Sequence, residues 1–327
     1  MLLYIGNNMA QLIDLKVGFS CNNKCIHCVV SDKYSEKDLL LAEIESLIEN
    51  YIAQYGRISL TLTGGEVTIR KDYCELMHFL KNKKDQGYIE FIDIQTNGRL
   101  LSKDKVLECT IPVVDFYLIA LHGNTAEIHD SITLSKGSFA ETTQGLYKLI
   151  QKVNINTIAI QTVINRNNYK ILKYIYRFAY DEFGIQEYNI TFPHPLGVAF
   201  DTNVIPTYLE VKDSVNDALR YCLELGVNPY LEALPFCVFV DELREYALQF
   251  YRKKQFQSGV IGFGGEKDGH IDYSIVQNEG YSKYDSCINC DFNNICLGVW
   301  KEYKELYPTY DMYSLMTKRQ NQTKVRK

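Results

Sequence analysis

Between Gln11 and about Pro195 the chain repeats one alternation. A short run rich in β-branched and aromatic residues gives way to a stretch whose apolar residues recur at helical spacing. Strands are predicted over 13–18, 58–63, 89–95, 113–121, 155–163 and 187–192, and helices over about 38–54, 72–86, 102–109, 138–152 and 167–183. In the first helix Leu39, Leu40, Ile44, Leu47, Ile48 and Ile52 mark the apolar stripe. Five β-then-α units followed by a sixth strand demand right-handed crossovers and a parallel sheet. A doubly wound sheet and a barrel-like sheet both satisfy that count, and both put chemistry at the carboxyl ends of the strands.

At 327 residues the chain is long enough for two domains, or for one large domain with an extension. Its 46% hydrophobic and 23% charged content supports a packed core and excludes a disordered chain. A net charge of −5 speaks against a broad nucleic-acid surface. No apolar run reaches the length of about 18 residues that a membrane helix needs, and the start, Met1 to Asn8, lacks a signal-peptide pattern. The expectation is a soluble cytoplasmic protein with no membrane or nucleic-acid partner.

Ten cysteines, at 21, 25, 28, 74, 109, 222, 237, 287, 290 and 296, then become the strongest signal. A reducing cytoplasm disfavours structural disulfides, so their clustering points to metal or redox chemistry. Cys21-Asn-Asn-Lys-Cys25-Ile-His-Cys28 follows the first predicted strand directly. Three close thiolates without a local fourth fit a 4Fe–4S cluster that keeps one iron open. A zinc loop completed by His27 is the competing reading. It is strained, because His27 adjoins Cys28.

CxxxCxxC after the first strand, with Thr63-Gly64-Gly65-Glu66 after the second, resembles the radical S-adenosylmethionine (SAM) enzymes over residues 11–195. The resemblance selects a partial (β/α)6 TIM barrel. It implies that Cys21, Cys25 and Cys28 hold three irons and leave the fourth for SAM. It places His27 beside the cofactor, lets Gly64 and Gly65 approach the methionine amino group, and offers that ammonium the carboxylate of Glu66. Thr96-Asn97-Gly98 would set Asn97 at the barrel mouth. Ile119-Ala120-Leu121-His122-Gly123 resembles the family's Ser-Leu-Asp-Gly, with Ala120 and His122 departing from it. His129-Asp130 and Gly137-Ser138-Phe139 match a pattern of extended members. Gln161, Asn165 and Phe192 are further candidates for SAM contact.

Cys287-Ile-Asn-Cys290-Asp-Phe-Asn-Asn-Ile-Cys296 resembles the C-terminal auxiliary-cluster region called SPASM, or its shorter form, twitch. The count supports one auxiliary 4Fe–4S cluster, with Cys237 as the chosen fourth ligand and zinc as the alternative metal. Cys222, on the apolar face of a predicted helix over 207–225, is the rival ligand and a candidate hydrogen-atom donor. Its favoured role is core packing. Cys74 and Cys109 sit in helical patterns and are read as structural. The domains expected are a barrel over 1–195, a connecting helix and strand over 196–236, and a cluster-binding region with tail over 237–327. A strand ending near 237, a helix over about 239–254 and a Gly-rich stretch of hairpin turns or loop over 258–280 belong to the last two.

The resemblance implies reductive cleavage of SAM, a 5′-deoxyadenosyl radical and hydrogen abstraction. Maturation of a ribosomally made peptide by crosslink, thioether or epimerisation is the favoured outcome. Its partners would be a precursor peptide, a separate leader-recognition protein and an electron donor such as flavodoxin or ferredoxin. The alternatives are a small-molecule dehydrogenase acting on an alcohol or sugar, and a noncatalytic iron–sulfur or zinc protein. Gly64-Gly65-Glu66 argues against the last, since electron carriage needs no SAM site.

Overall fold

The computed structural model describes residues 10–227, 229–244, 259–263, 270–272 and 279–309. Six strands lie where the alternation puts them: β1 (Gln11–Lys16), β2 (Ile58–Thr63), β3 (Ile89–Thr96), β4 (Phe116–Ala120), β5 (Ile158–Val163) and β6 (Glu187–Thr191). Between them run α1 (Leu41–Tyr55), α2 (Tyr73–Asp85), α3 (Asp104–Thr110), α4 (Ala126–Thr133), α5 (Ser138–Ile150) and α6 (Leu172–Phe183). The sequence reading missed α4, whose two turns are too short to show a period. Its signal is the N-cap Thr125, which accepts from Ile128 N.

The six strands pair in parallel in chain order, and the sheet continues at both ends. β7 (Tyr230–Glu232) adds in parallel beside β6. β8 (Gly259–Phe263) adds in parallel beside β1, with β9 (His270–Asp272) antiparallel outside it. The order β7-β6-β5-β4-β3-β2-β1-β8-β9 leaves two edges, an open, curled half-barrel. The segment read as a connector thus supplies a barrel strand. The Gly-rich stretch supplies a hairpin that covers the otherwise bare edge of β1. The expected strand near 237 sits earlier, at 230–232, and Phe236–Val238 form a 3-10 turn after Pro235. Most of the helix expected over 239–254 lies outside the described residues.

Alternation along the strands divides the sheet into two faces. Ile13, Leu15, Ile58, Leu60, Leu62, Ile92 and Ile94 are fully buried with Ile44, Ile48, Leu76 and Leu80 of the helices. The alternate residues Asp14, Lys16, Thr61, Asp93, Gln95 and Gln161 take the concave face. Deeper on that face Phe91, Phe116, Leu118 and Ala159 form a separate apolar floor.

After β6 the helix α7 (Tyr208–Glu224) opens with a capping box between Thr207 and Glu210. The extension adds the pair β10 (Tyr281–Ser282) and β11 (Val299–Trp300), then α8 (Lys301–Leu306). It docks through aromatic rings. The Phe192 ring stacks on Tyr208 at 4.0 Å and meets Tyr303 at 5.7 Å. Trp300 is sandwiched between His194 at 4.0 Å and Tyr281 at 4.2 Å. Phe192 is therefore a core residue on the outer face of β6, not an adenine contact, because Thr191 before it takes the concave side.

Two cysteine expectations are corrected. Cys74 of α2 and Cys109 of α3 are joined by a disulfide with Cα atoms 5.4 Å apart, where unpaired thiols were expected. Packing of the two helices brings them together across 35 residues of sequence, a contact no periodicity announces. Cys222 is fully buried on α7, with Tyr176 and Tyr188 nearby, and burial pushes its thiol up to about 12. It lies in the outer layer and cannot donate hydrogen to a substrate in the concavity.

Candidate active site

The loop carrying Cys21, Cys25 and Cys28 is irregular, and its shape comes from partners on four elements. The Asp38 carboxylate accepts from Phe19 N at 2.7 Å and Ser20 N at 3.0 Å, fixing the exit from β1. Lys24 N and Ile26 N each donate at 2.9 Å to the carbonyls of Thr133 and Ile132 at the end of α4. Arg99, just past β3, donates through Nη1 to Asn22 O and Asn23 Oδ1 at 2.6 Å each, and its Nε pairs with Glu141 at 2.6 Å. Asn97 Nδ2 reaches Asn22 Oδ1 at 2.7 Å. Sequence reasoning missed Asp38 and Arg99, whose partners lie far away in the chain.

All three thiols of the loop are free. Burial pushes Cys21 up to about 11 and Cys25 higher still, and each feels the charge of its neighbours. Thiols crowded this way ionise only when a cation compensates them, the condition a metal or iron–sulfur centre supplies.

Gly64 and Gly65 follow β2 and lie directly against the β1 exit. Gly65 N donates to Gly18 O, and Glu66 N to Ser20 O, both at 2.8 Å. A Cβ at Gly64 would stand 2.3 Å from Gly18 O, at a φ of +135°, and one at Gly65 would stand 2.1 Å from Ser20 O. The pair is thus needed for backbone-to-backbone closure, whatever else approaches it. Gly65→Ala should lower stability by about 2 kcal/mol or more, because the obstructing atoms are backbone. A denaturation midpoint equal to that of the unaltered chain would refute this close packing.

Glu66 is buried and strapped. Its Oε1 accepts from Thr68 Oγ1 and Thr96 Oγ1 at 2.6 Å each and from Thr68 N at 3.1 Å. Its Oε2 accepts from Asn97 N at 2.7 Å. With one donor among the described residues, Oε2 is the oxygen with capacity for a ligand cation. Asn97 itself is committed to the cluster loop through its side chain and to Glu66 through its backbone.

A wall of buried histidines stands behind the thiol loop. The His27 ring meets His122 edge-on at 4.5 Å, and His122 stacks with His129 at 5.8 Å. Cys25, His27 and His122 each bring one ligand atom within 4.8 Å of the others. Burial lowers all three imidazoles, His27 and His129 to about 4, so they are neutral near pH 7. His122 N donates to His129 Nδ1 at 3.2 Å, and the Asn168 amide holds His122 O at 3.1 Å. Nδ1 of His27 has no hydrogen-bond partner among the described residues, which leaves it for a bound molecule.

The fifth strand gives a split result. Gln161 takes the concave face, level with Asn189 of β6. Asn165 is fully buried and spends its amide on its own turn, donating to Val163 O at 3.1 Å and accepting from Asn167 N at 3.0 Å. That commitment gives Asn165 a role in its own turn. The sequence reading missed the carboxylates of this face: Asp14, Asp93 on β3, and Glu232, which accepts from Thr191 Oγ1 at 3.2 Å. Asp93 holds Thr61 Oγ1 at 2.7 Å through Oδ1, and burial pushes it up to about 7.

In the extension, Cys237, Cys287, Cys290 and Cys296, none of them in a disulfide, line one cavity with Phe236 and Gly298. Burial raises the Cys237 thiol strongly, with the other three next in effect. Four sulfur donors around one cavity suit a tetrahedral metal or a fully ligated cluster.

The sequence model of the Radical SAM superfamily matches residues 15–179, half of the chain. This protein belongs to that superfamily and is a radical SAM enzyme with an iron–sulfur and SAM cofactor system. Among curated relatives, a probable GTP 3′,8-cyclase of Saccharolobus islandicus is 28% identical over 255 residues, covering 71% of this chain and 79% of that protein. A protein of the same name from Sulfurisphaera tokodaii is 30% identical over 211 residues, 63% of each chain. Among solved structures, Streptococcus suis SuiB bound to its precursor peptide SuiA aligns at a TM-score of 0.62 and 11% identity, over 90% of this chain and 72% of that one. Native anSMEcpe with bound AdoMet aligns at 0.59 and 14% identity, over 95% and 99%. At these identities the solved structures share the fold. Among the described residues no helix is long and apolar enough to cross a membrane.

Proposed function

We propose that this radical SAM enzyme abstracts hydrogen from a ribosomally made peptide, with Cys21, Cys25 and Cys28 holding the SAM-binding 4Fe–4S cluster. Cys237, Cys287, Cys290 and Cys296 hold a second, fully ligated cluster. The observation that carries the reading is the convergence of seven cysteines outside any disulfide into two groups, the first facing Glu66 and the histidine wall. When bound, the first cluster and SAM supply the 5′-deoxyadenosyl radical, which is the hard chemistry. The chain's own groups bind and orient. Glu66 Oε2 would take the methionine ammonium, His27 and His122 would wall the cofactor beside the thiol loop, and Gln161 would line the concavity. The extension docks through Tyr303 on Phe192 and Tyr208. Four thiols would leave the second site no open position for substrate, so the group held there would supply electron transfer.

Two observations support a peptide over a nucleotide substrate. The fold likeness to SuiB and anSMEcpe runs through the extension as well as the barrel. The concave face carries Asp14, Asp93 and Glu232 against Lys16, which itself pairs with Asp14 at 3.3 Å. The carboxylates of Asp14 and Glu232 lie on that face and disfavour a triphosphate such as GTP, the substrate named in the curated relatives, while Asp93, raised to about 7 by burial, adds little charge. An electron donor of flavodoxin or ferredoxin type completes the system, and leader recognition falls to a separate protein.

The test is mass spectrometry of a short peptide encoded beside this gene, after anaerobic incubation with the reconstituted enzyme, SAM and reductant. Loss of two hydrogens reports a crosslink, and deuterium uptake at unchanged composition reports epimerisation. An unchanged peptide, with GTP consumed instead, would refute the peptide reading.

A further inference from the structure

The disulfide between Cys74 and Cys109 belongs to neither cysteine group of the proposed cofactor sites, and its placement makes it more than a staple. Both cysteines are half-buried, on the outer helices α2 and α3. Cys74 lines a surface cavity between α1 and α2 with Leu41, Glu45, Glu75 and His78, which gives a small dithiol a route to the bond. Accessible disulfides exchange readily, whereas enclosed ones resist reduction. The bond also closes the chain from 74 to 109, and that loop contains β3, Thr96, Asn97 and Arg99. These residues hold the thiol loop and Glu66 in place. Asn97 N donates to Glu66 Oε2 at 2.7 Å, Asn97 Nδ2 reaches Asn22 Oδ1 at 2.7 Å, and Arg99 Nη1 reaches Asn22 O at 2.6 Å. Only Lys103 separates the 3-10 turn Arg99–Ser102 from α3, so a shift of α3 passes directly to Arg99. With the sulfurs apart, α3 would still meet α2 through the buried bond between Tyr73 Oη and Thr110 Oγ1, 2.7 Å long.

We propose that Cys74–Cys109 is a thiol–disulfide exchange site for a small dithiol, and that its state sets how firmly β3 and the turn after it hold the thiol loop. One thiolate of the dithiol attacks a sulfur of the pair, the Cys74–Cys109 bond breaks, and a mixed disulfide forms. The second thiol of the dithiol then closes its own ring and releases the protein sulfur. Two electrons and two protons pass from the dithiol to the pair, and the cyclic disulfide takes them back in the reverse direction. Closure removes open states of the 74–109 loop. Reduction leaves α3 to noncovalent packing, so the local openings that expose the Asn97 and Arg99 N–H groups become more frequent. Neither the substrate nor the metal held by the thiol loop enters this exchange.

The test equilibrates the full chain anaerobically with mixtures of reduced and oxidised dithiothreitol. Thiols are then trapped with N-ethylmaleimide in acid denaturant and mapped by peptide mass spectrometry. The Cys74–Cys109 pair should pass reversibly from disulfide to two trapped thiols as the reduced share rises. In the same mixtures, amide hydrogen exchange over 96–102 should quicken about tenfold on reduction, while β5, remote from the pair, keeps its rate. Cys109→Ser should show the faster exchange at every mixture. A pair that stays joined in excess reduced dithiothreitol until denaturant is added would overturn the proposal, as would a pair never found joined. Equal exchange over 96–102 in the two forms, or a change no larger there than in β5, would overturn it as well. If Cys109→Ser fails to fold, the wild-type titration decides alone.

Discussion

Glu66→Ala should abolish SAM binding and also weaken the fold. The carboxylate is the acceptor for two hydroxyls and two backbone N–H groups from the ends of β2 and β3. Removing it strands Thr68, Thr96 and Asn97 donors in a site that water barely reaches. Each buried donor left unpaired costs about 1–3 kcal/mol, so a total loss of about 3 kcal/mol or more is expected in a denaturant titration. Asn97 also holds Asn22 of the thiol loop, so the defect should spread to cluster loading. Glu66→Gln keeps one acceptor oxygen but turns an amide N–H toward one of the donors, and should fall between the two. Calorimetry of SAM binding on the reconstituted protein separates the roles. A Glu66→Ala variant as stable as wild type would show that the strap carries no weight.

Cys237→Ala is expected to halve the iron content. The assignment gives two 4Fe–4S clusters, about eight irons per chain, and loss of one ligand should release the second cluster and leave about four. The first cluster should persist, and with it the SAM-dependent change of its EPR signal. Cys222→Ala should leave iron unchanged, because that thiol is fully buried in the outer layer and is absent from the cavity the other four line. The opposite pattern, iron lost with Cys222 and kept without Cys237, would mean that the ligand set is wrong.

How far the sequence reached depended on the range of the contacts. The second strand is placed at 58–63 by alternation and observed at Ile58–Thr63, because its period is local. The helices are found with their ends shifted by a few residues, since caps and 3-10 turns decide the ends. Long-range pairing was not legible. β8 joins β1 from more than 240 residues away, and nothing within its glycine-rich stretch announces a parallel partner. The Cys74–Cys109 pair depends on helix packing for the same reason.

The site divided along the same line. The three loop cysteines and Gly64-Gly65-Glu66 are contiguous motifs and were read directly. Asp38, Arg99, Asn168, Asp93 and Glu232 each bond a partner 18 or more residues away. Only the fold brings them in. Phe192 packs on Tyr208 and Asn165 bonds its own turn, placements a strand's period could not announce because it names two faces without saying which one is concave.

The central claim is that the thiol loop, Glu66 and the histidine wall together cleave SAM. Anaerobic reconstitution followed by dithionite and SAM tests it, with 5′-deoxyadenosine and methionine measured by liquid chromatography and mass spectrometry. Wild type should release both in equal amounts, and Cys25→Ala should release neither. A chain that carries its full iron, is reduced, and still forms no 5′-deoxyadenosine would contradict the account.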